Sequence, residues 1–293
     1  MDDPVAGEFE SHRPRLFGLA YRLLGSAADA EEVVQEAFLR WFAADRAAIA
    51  VPEAWLVTVV TRLSLSTLTS ARRRRETYPG PWLPEPVLSA GGALGPLDTA
   101  EQRESVSLGL LVLLEELTPP ERAAFVLHEA FGHPHAEIAR ILDVDEATSR
   151  QHLHRAHDRL AARRGRFAVD PAAHRRMVER FLDAAFGAGT EPLEHLLADD
   201  VVSWSDGGGH RAARRPVTGR DRVARLLRGL RARPDAAGAS AAVLDVNGAP
   251  GLVFSTPDGL IAVTTAEIGE GGITALWTVV NPSKLTCVAA QLG

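Results

Sequence analysis

Between Tyr78 and Asp98 the chain reads YPGPWLPEPVLSAGGALGPLD, five prolines and four glycines in 21 residues. Proline lacks an amide hydrogen and fixes its own φ, and neither residue type sits well inside a helix or a central strand. No regular element can run through this stretch, so it divides the chain into parts that must each find a core. Its prolines favour extended backbone. Tyr78, Trp82, Leu83 and Leu88 are unlike the side chains of a fully solvated spacer. Part of the stretch is therefore expected to lie on a partner or a neighbouring domain.

Before this divide the pattern is helical. Leu16, Ala20, Leu23 and Leu24 fall on one face, and Val34, Phe38 and Trp41 on another. Gly25 closes the first helix, Ser26 and Asp29 read as a cap with an acidic first turn, and Pro52 opens a third helix carrying Trp55, Val59 and Leu63. After the divide, Thr118-Pro119-Pro120-Glu121 is a strong helix start with a capping-box glutamate. Glu137 to Leu142, a turn at Asp143, and a helix from Glu146 through Leu153, Ala156 and Leu160 make a helix-turn-helix signature. Asp143 stands at the turn position that often holds glycine, and aspartate tolerates left-handed backbone. From about Asp170 the character changes. Helical patterns around Met177–Leu182 and Val223–Leu230 precede short runs at Ala241–Val246, Gly251–Ser255, Leu260–Ile268 and Ile273–Val280, separated by NG, PDG and GEGG turns. Helices followed by a strand meander predict a separate α+β domain.

With 293 residues there is room for two or three domains. No apolar run approaches the ~18 residues of a membrane span, and the acidic start MDDPVAGEFE is unlike a signal peptide, so a cytoplasmic protein with no membrane partner is expected. The single Cys287 excludes an internal disulfide. The net charge of −6 argues against a freestanding nucleic-acid binder. DNA contact would come from local patches, Arg72 to Arg75 and the stretch from Arg150 to Arg166, helped by a partner that already holds the DNA.

Ser26 to Trp41, SAADAEEVVQEAFLRW, resembles region 2 of RNA polymerase sigma factors of the extracytoplasmic-function class. The resemblance implies that this helix docks on the clamp coiled coil of core polymerase. Val33, Val34, Ala37 and Phe38 would hold it in a bundle while Asp29, Glu32, Gln35 and Glu36 face the partner. Trp55 to Arg75 resembles the part of region 2 that melts and reads the −10 element, with Arg62, Arg72, Arg73, Arg74 and Arg75 as phosphate contacts. Ser66, Thr67 and Thr69 stand where relatives tend to carry an acid and bases. Glu137 to Arg164 resembles region 4, which reads the −35 element. Thr148, Arg150, Gln151, His154 and Arg155 would face promoter DNA, and His157 replaces a more usual arginine.

Pro79 to Pro86, PGPWLPEP, resembles the linker of the group whose members end in a SnoaL-like domain. Asp206-Gly207-Gly208-Gly209-His210 and Asn281-Pro282-Ser283-Lys284-Leu285 match motifs of the same group, with His210 and Ser283 departing from Lys and Asp. The implied organisation is region 2 over residues 1–77, a linker over 78–100, region 4 over 101–166 and an α+β SnoaL-like cone over 170–286. Asp206, Gly207, Gly208, Gly209, Asn281, Pro282, Lys284 and Leu285 would form a regulatory contact on the sigma domains, in place of a separate anti-sigma factor. The alternative is an acid–base enzyme using Trp204, Asp206 and His210, or a sensor of an unidentified small-molecule ligand. Fold alone does not confer chemistry, so regulation is preferred and no catalytic residue is assigned. No cofactor or metal is expected either. Only His154 and His157 of the cluster with His152 share a helix face, and His128, His133 and His135 are scattered over a helix end and a loop.

Overall fold

The computed structural model describes residues 4–95, 97, 99–161, 170–186, 192–210, 212–233 and 238–293; within these, the side chains of residues 4, 71–74, 76, 91 and 100 lie outside the description. The chain forms two compact units. One is helical, built from Met1–Thr77 and Ala90–Arg164; the other contains Tyr78–Ser89 and Gly165–Gly293.

The helical unit begins with α1 (Pro4–Leu24), α2 (Ala27–Ala43) and α3 (Pro52–Glu76). The Ser26 side chain accepts from the Asp29 amide to start α2, and Pro52 occupies the first turn of α3. Leu16, Ala20, Leu23, Leu24, Val34, Leu56 and Val60 are wholly buried between the three helices. Then follow α4 (Ala100–Glu104), α5 (Leu108–Leu114), α6 (Pro119–Phe125) with a wider π turn at Val126–Ala130, α7 (His135–Leu142) and α8 (Glu146–Ala161). The Thr118/Glu121 capping box opens α6. Asp143 ends α7 in left-handed backbone, with φ 57° and ψ 49°.

The helices before Thr77 and those after Ala90 share one compact unit. Two buried guanidiniums tie them. Arg22 Nε donates to Ser105 Oγ (2.8 Å) and its Nη1 to the carbonyls of Gly18 and Leu94 (3.0 Å each). Arg122 donates to the carbonyls of Leu114 (2.9 Å) and Leu23 (2.6 Å). A buried charge is tolerable only when its donors are matched, and the fork geometry of arginine meets several carbonyls at once. Burial lowers the Arg22 pKa to about 10, which leaves it charged at neutral pH.

The second unit has α9 (Pro171–Phe186), β1 (Leu197–Asp206), β2 (Val217–Thr218), α10 (Arg220–Arg231), β3 (Ser240–Val246), β4 (Ala249–Thr256), β5 (Gly259–Gly269), β6 (Gly272–Val279) and α11 (Pro282–Leu292). The strands form one sheet in the order β2-β1-β6-β5-β4-β3, antiparallel except for the parallel pair β1 and β6. Val178, Phe181 and Ala185 of α9 and Val223, Ala224 and Leu227 of α10 share a core with Val201, Leu252, Phe254 and Leu276 of the sheet. α11 packs against β5. The four meander strands lie where their alternation places them. β1 escaped the sequence reading because Asp199 and Asp200 interrupt its apolar pattern, and its neighbour β6 is far away in sequence.

Candidate functional site

The Tyr78–Ser89 half of the linker belongs to the second unit, where residues 83–88 are all buried. Its anchor is Asp206 at the end of β1, which is 0% exposed. Asp206 Oδ1 accepts from the Tyr78 hydroxyl (2.5 Å) and the Gly208 amide (3.1 Å). Oδ2 accepts from the Leu83 amide (2.8 Å) and Lys284 Nζ (2.7 Å). Lys284 also donates to the Leu83 carbonyl (2.5 Å) and lies over the rings of Trp82 (4.1 Å) and Tyr78 (4.8 Å). The ammonium thus gains a carboxylate, a carbonyl and two ring faces in exchange for water. Burial first, and Asp206 second, push the Tyr78 phenol well above its ordinary pKa.

Asn281 caps α11 by accepting from the Ser283 amide (3.1 Å) and donates Nδ2 to the Tyr78 hydroxyl (2.8 Å). Gly208 has φ +56°, and a Cβ there would run into the Asn281 side chain, so this loop position admits only glycine. Further along, Val87 exchanges hydrogen bonds with Asn247, Leu88 with the Gln291 amide, and Ser89 N donates to the Asp245 carbonyl. Asp206, the glycine loop and the Asn281–Leu285 motif therefore converge. Their described partner is the linker segment Tyr78–Ser89. The reason is chemical: an extended proline-rich strand has unpaired backbone groups to offer, and this end of the sheet supplies matching side chains.

In the helical unit, Glu32 and Gln35 are exposed on α2, Asp29 and Glu36 are half-buried, and Glu36 pairs with Arg40 (2.8 Å). Val33, Val34 and Ala37 are buried on the opposite face. Arg62 of α3 donates Nε to the Ile141 carbonyl (3.0 Å) and Nη2 to the Arg140 carbonyl (3.2 Å), meeting the C-terminal end of α7. Arg75 pairs with Glu115 and donates to the Leu24 carbonyl (2.6 Å). The side chains of Arg72, Arg73 and Arg74 lie outside the described residues.

On α8 the Asp145 carboxylate accepts from the Thr148 amide (2.6 Å), an N-cap that holds the Asp145 pKa below the usual carboxylate range. Ser149, Leu153, Ala156 and Leu160 are buried. Arg150, Gln151, His154 and Arg155 are exposed, and Thr148 is half-buried. Arg150 pairs with Glu146, while His128 and His157 both reach Glu129 Oε1 (3.1 Å each). The end of the Arg150–Arg166 stretch falls partly outside the described residues.

Residues 9–74 match the family model Sigma-70 region 2, and residues 107–160 match Sigma-70, region 4. A protein of Mycobacterium tuberculosis named ECF RNA polymerase sigma factor SigJ is 41% identical over 95% of this chain and 92% of its own. The chain belongs to the extracytoplasmic-function sigma factors. A second relative of this sigma factor, named probable ECF RNA polymerase sigma factor SigI in M. tuberculosis, is 33% identical over 99% of this chain and 98% of its own. The crystal structure of M. tuberculosis SigJ superposes with a TM-score of 0.76 at 37% identity, covering 96% of this chain and 98% of that one. The match spans the α+β unit as well as the helical one. The family is one of polymerase subunits, not of enzymes.

Two features of the sigma factor escaped the sequence reading. Leu39 and Phe42 of α2 are 54% and 59% exposed, continuing the face that bears Gln35. Asn281-Pro282 also starts a helix, a signal legible as an N-cap followed by proline.

Proposed function

We propose that this sigma factor directs promoter-specific initiation, with α2 docking on core polymerase, α3 on the −10 element and α8 on the −35 element. The α+β unit would regulate it through the linker. One observation carries the regulatory part: residues 83–88, which join the two DNA-reading segments of the chain, are buried in the α+β unit and fastened to the Asp206–Lys284 pair. Any change that loosens this clasp alters the freedom of the chain between regions 2 and 4. Support for the polymerase contact comes from Glu32, Gln35, Leu39 and Phe42, an exposed apolar-and-polar strip opposite the buried Val33, Val34 and Ala37. Arg62 and Arg75 are engaged by carbonyl groups in the helical unit, so their use on promoter phosphates requires those hydrogen bonds to be exchanged.

The acid–base alternative would have to do without Asp206 as a free base, since both its oxygens are taken by four donors. Run-off transcription with purified core enzyme tests the proposal. Full-length protein, truncations ending before Pro282, and Lys284→Met would be compared. Absence of both a promoter-dependent transcript and co-purification with core would sink the sigma reading. Equal transcription by the full chain and the clasp variants would sink the regulatory one.

A further inference from the structure

The sequence from Arg211 to Arg233 carries nine arginines and one acid, Asp221, a formal charge of +8 inside a chain whose net charge is −6. Its central element is α10, which buries Val223, Ala224 and Leu227 against the sheet. At about 100° per residue, Arg222 and Arg225 then fall on the side away from that core, Arg228 lies at its flank, and Arg231 stands in the last turn. All four are exposed, as are Arg214 and Arg215 just before β2. Arg228 pairs with Glu194, while Arg222, Arg225 and Arg231 have no ion-pair partner among the described residues.

An ordinary solvated helix balances its charges, and other helices of this chain do so. Glu36 meets Arg40, Glu137 meets Arg140 and Glu146 meets Arg150, each within one turn. On α10 the arginines instead follow one another at i, i+3, an arrangement of like charges that weakens a helix. Such a face is retained at a cost unless something negative lies on it. From Arg222 to Arg228 the helix rises about 9 Å, comparable to roughly three phosphates along one DNA strand. Arginine forks suit phosphate oxygens bidentately.

We propose that the outer face of α10 binds the phosphate backbone of duplex DNA, a third DNA contact beyond those of regions 2 and 4. The contact is independent of sequence. It would make the α+β unit an electrostatic anchor on the promoter as well as the holder of the linker.

The test uses the full-length protein without polymerase and a fluorescein-labelled random-sequence duplex of about 30 base pairs, followed by anisotropy over a salt series. Arg222→Gln/Arg225→Gln should bind several-fold more weakly on unrelated sequences. Its log–log salt slope should be smaller by about 2, near 0.9 per lost phosphate contact. Arg222→Lys/Arg225→Lys should keep the slope, and unchanged melting of the glutamine variant shows that the fold is intact. Unchanged affinity and slope in the glutamine variant overturn the proposal. So does an unchanged slope in the glutamine variant whatever its affinity, since loss of phosphate contacts must lower the slope. Because no polymerase is present, the result stands apart from the initiation reading.

Discussion

Lys284 Nζ lies 2.7 Å from Asp206 Oδ2, with the two side chains 7% and 0% exposed. The pair closes the linker between α11 and the end of β1. Removing one member of such a pair leaves a buried charge alone, which costs about 3–5 kcal/mol. Lys284→Met is therefore expected to lower the melting temperature of the α+β unit and to open residues 78–89 to protease. Unchanged melting and unchanged cleavage would contradict the clasp.

Tyr78 gives a milder variant. Tyr78→Phe loses the hydrogen bonds to Asp206 and Asn281 and should cost about 1–3 kcal/mol. The folded state raises the phenol's pKa, so its contribution is complete below the unfolded value of about 10 and is lost as pH rises beyond it. Wild-type stability should therefore fall above about pH 10 more steeply than that of Tyr78→Phe, as read from urea midpoints.

His174 sets the opposite limit. Its Nε2 is buried without a hydrogen-bond partner, and burial pushes its pKa below 6.5. The unfolded chain takes up this proton first, so the stability is complete above 6.5 and declines as pH falls. Melting of the α+β unit at pH 7.5 and 5.5 should differ less in His174→Leu than in the wild type.

Leu39 and Phe42 are exposed where a polymerase partner would cover them. Leu39→Ala/Phe42→Ala should weaken core binding by about tenfold or more, since apolar anchors at an interface each contribute about 1–2 kcal/mol. Folding stability should change by less than about 0.5 kcal/mol. Equal core affinity in a competition assay would remove these residues from the interface.

Asp143 holds left-handed backbone at the turn of the helix-turn-helix. Asp143→Gly removes the Cβ clash and should raise the stability of the helical unit by a few tenths of a kcal/mol. Asp143→Val should cost about 1–2 kcal/mol. Thermal melting of the two variants gives the order directly.

Most helices were legible from local signals: Ser26, Pro52 and the Thr118/Glu121 box mark starts, and apolar spacing marks buried faces. The meander strands were legible from their turns. What stayed hidden depended on distant partners. Nothing local marks Arg22 and Arg122 as buried, since only the fold brings carbonyls from Leu94, Leu114 and Leu23 to them. β1 was hidden by Asp199 and Asp200, which interrupt its apolar pattern. The motifs at Asp206 and Asn281 were visible as words, but their contact with Tyr78 and Leu83 belongs to tertiary structure alone.

The linker's position in the chain also sets a timetable. Leu83 and Lys284 are separated by 201 residues. At about 5–20 residues per second of synthesis, Leu83 waits some 10–40 s for its partner to be made. During that interval the helical unit, complete by Arg164, has already left the ribosome with its linker unfastened. Every molecule is thus born in the unclasped form and becomes clasped only as its last helix emerges.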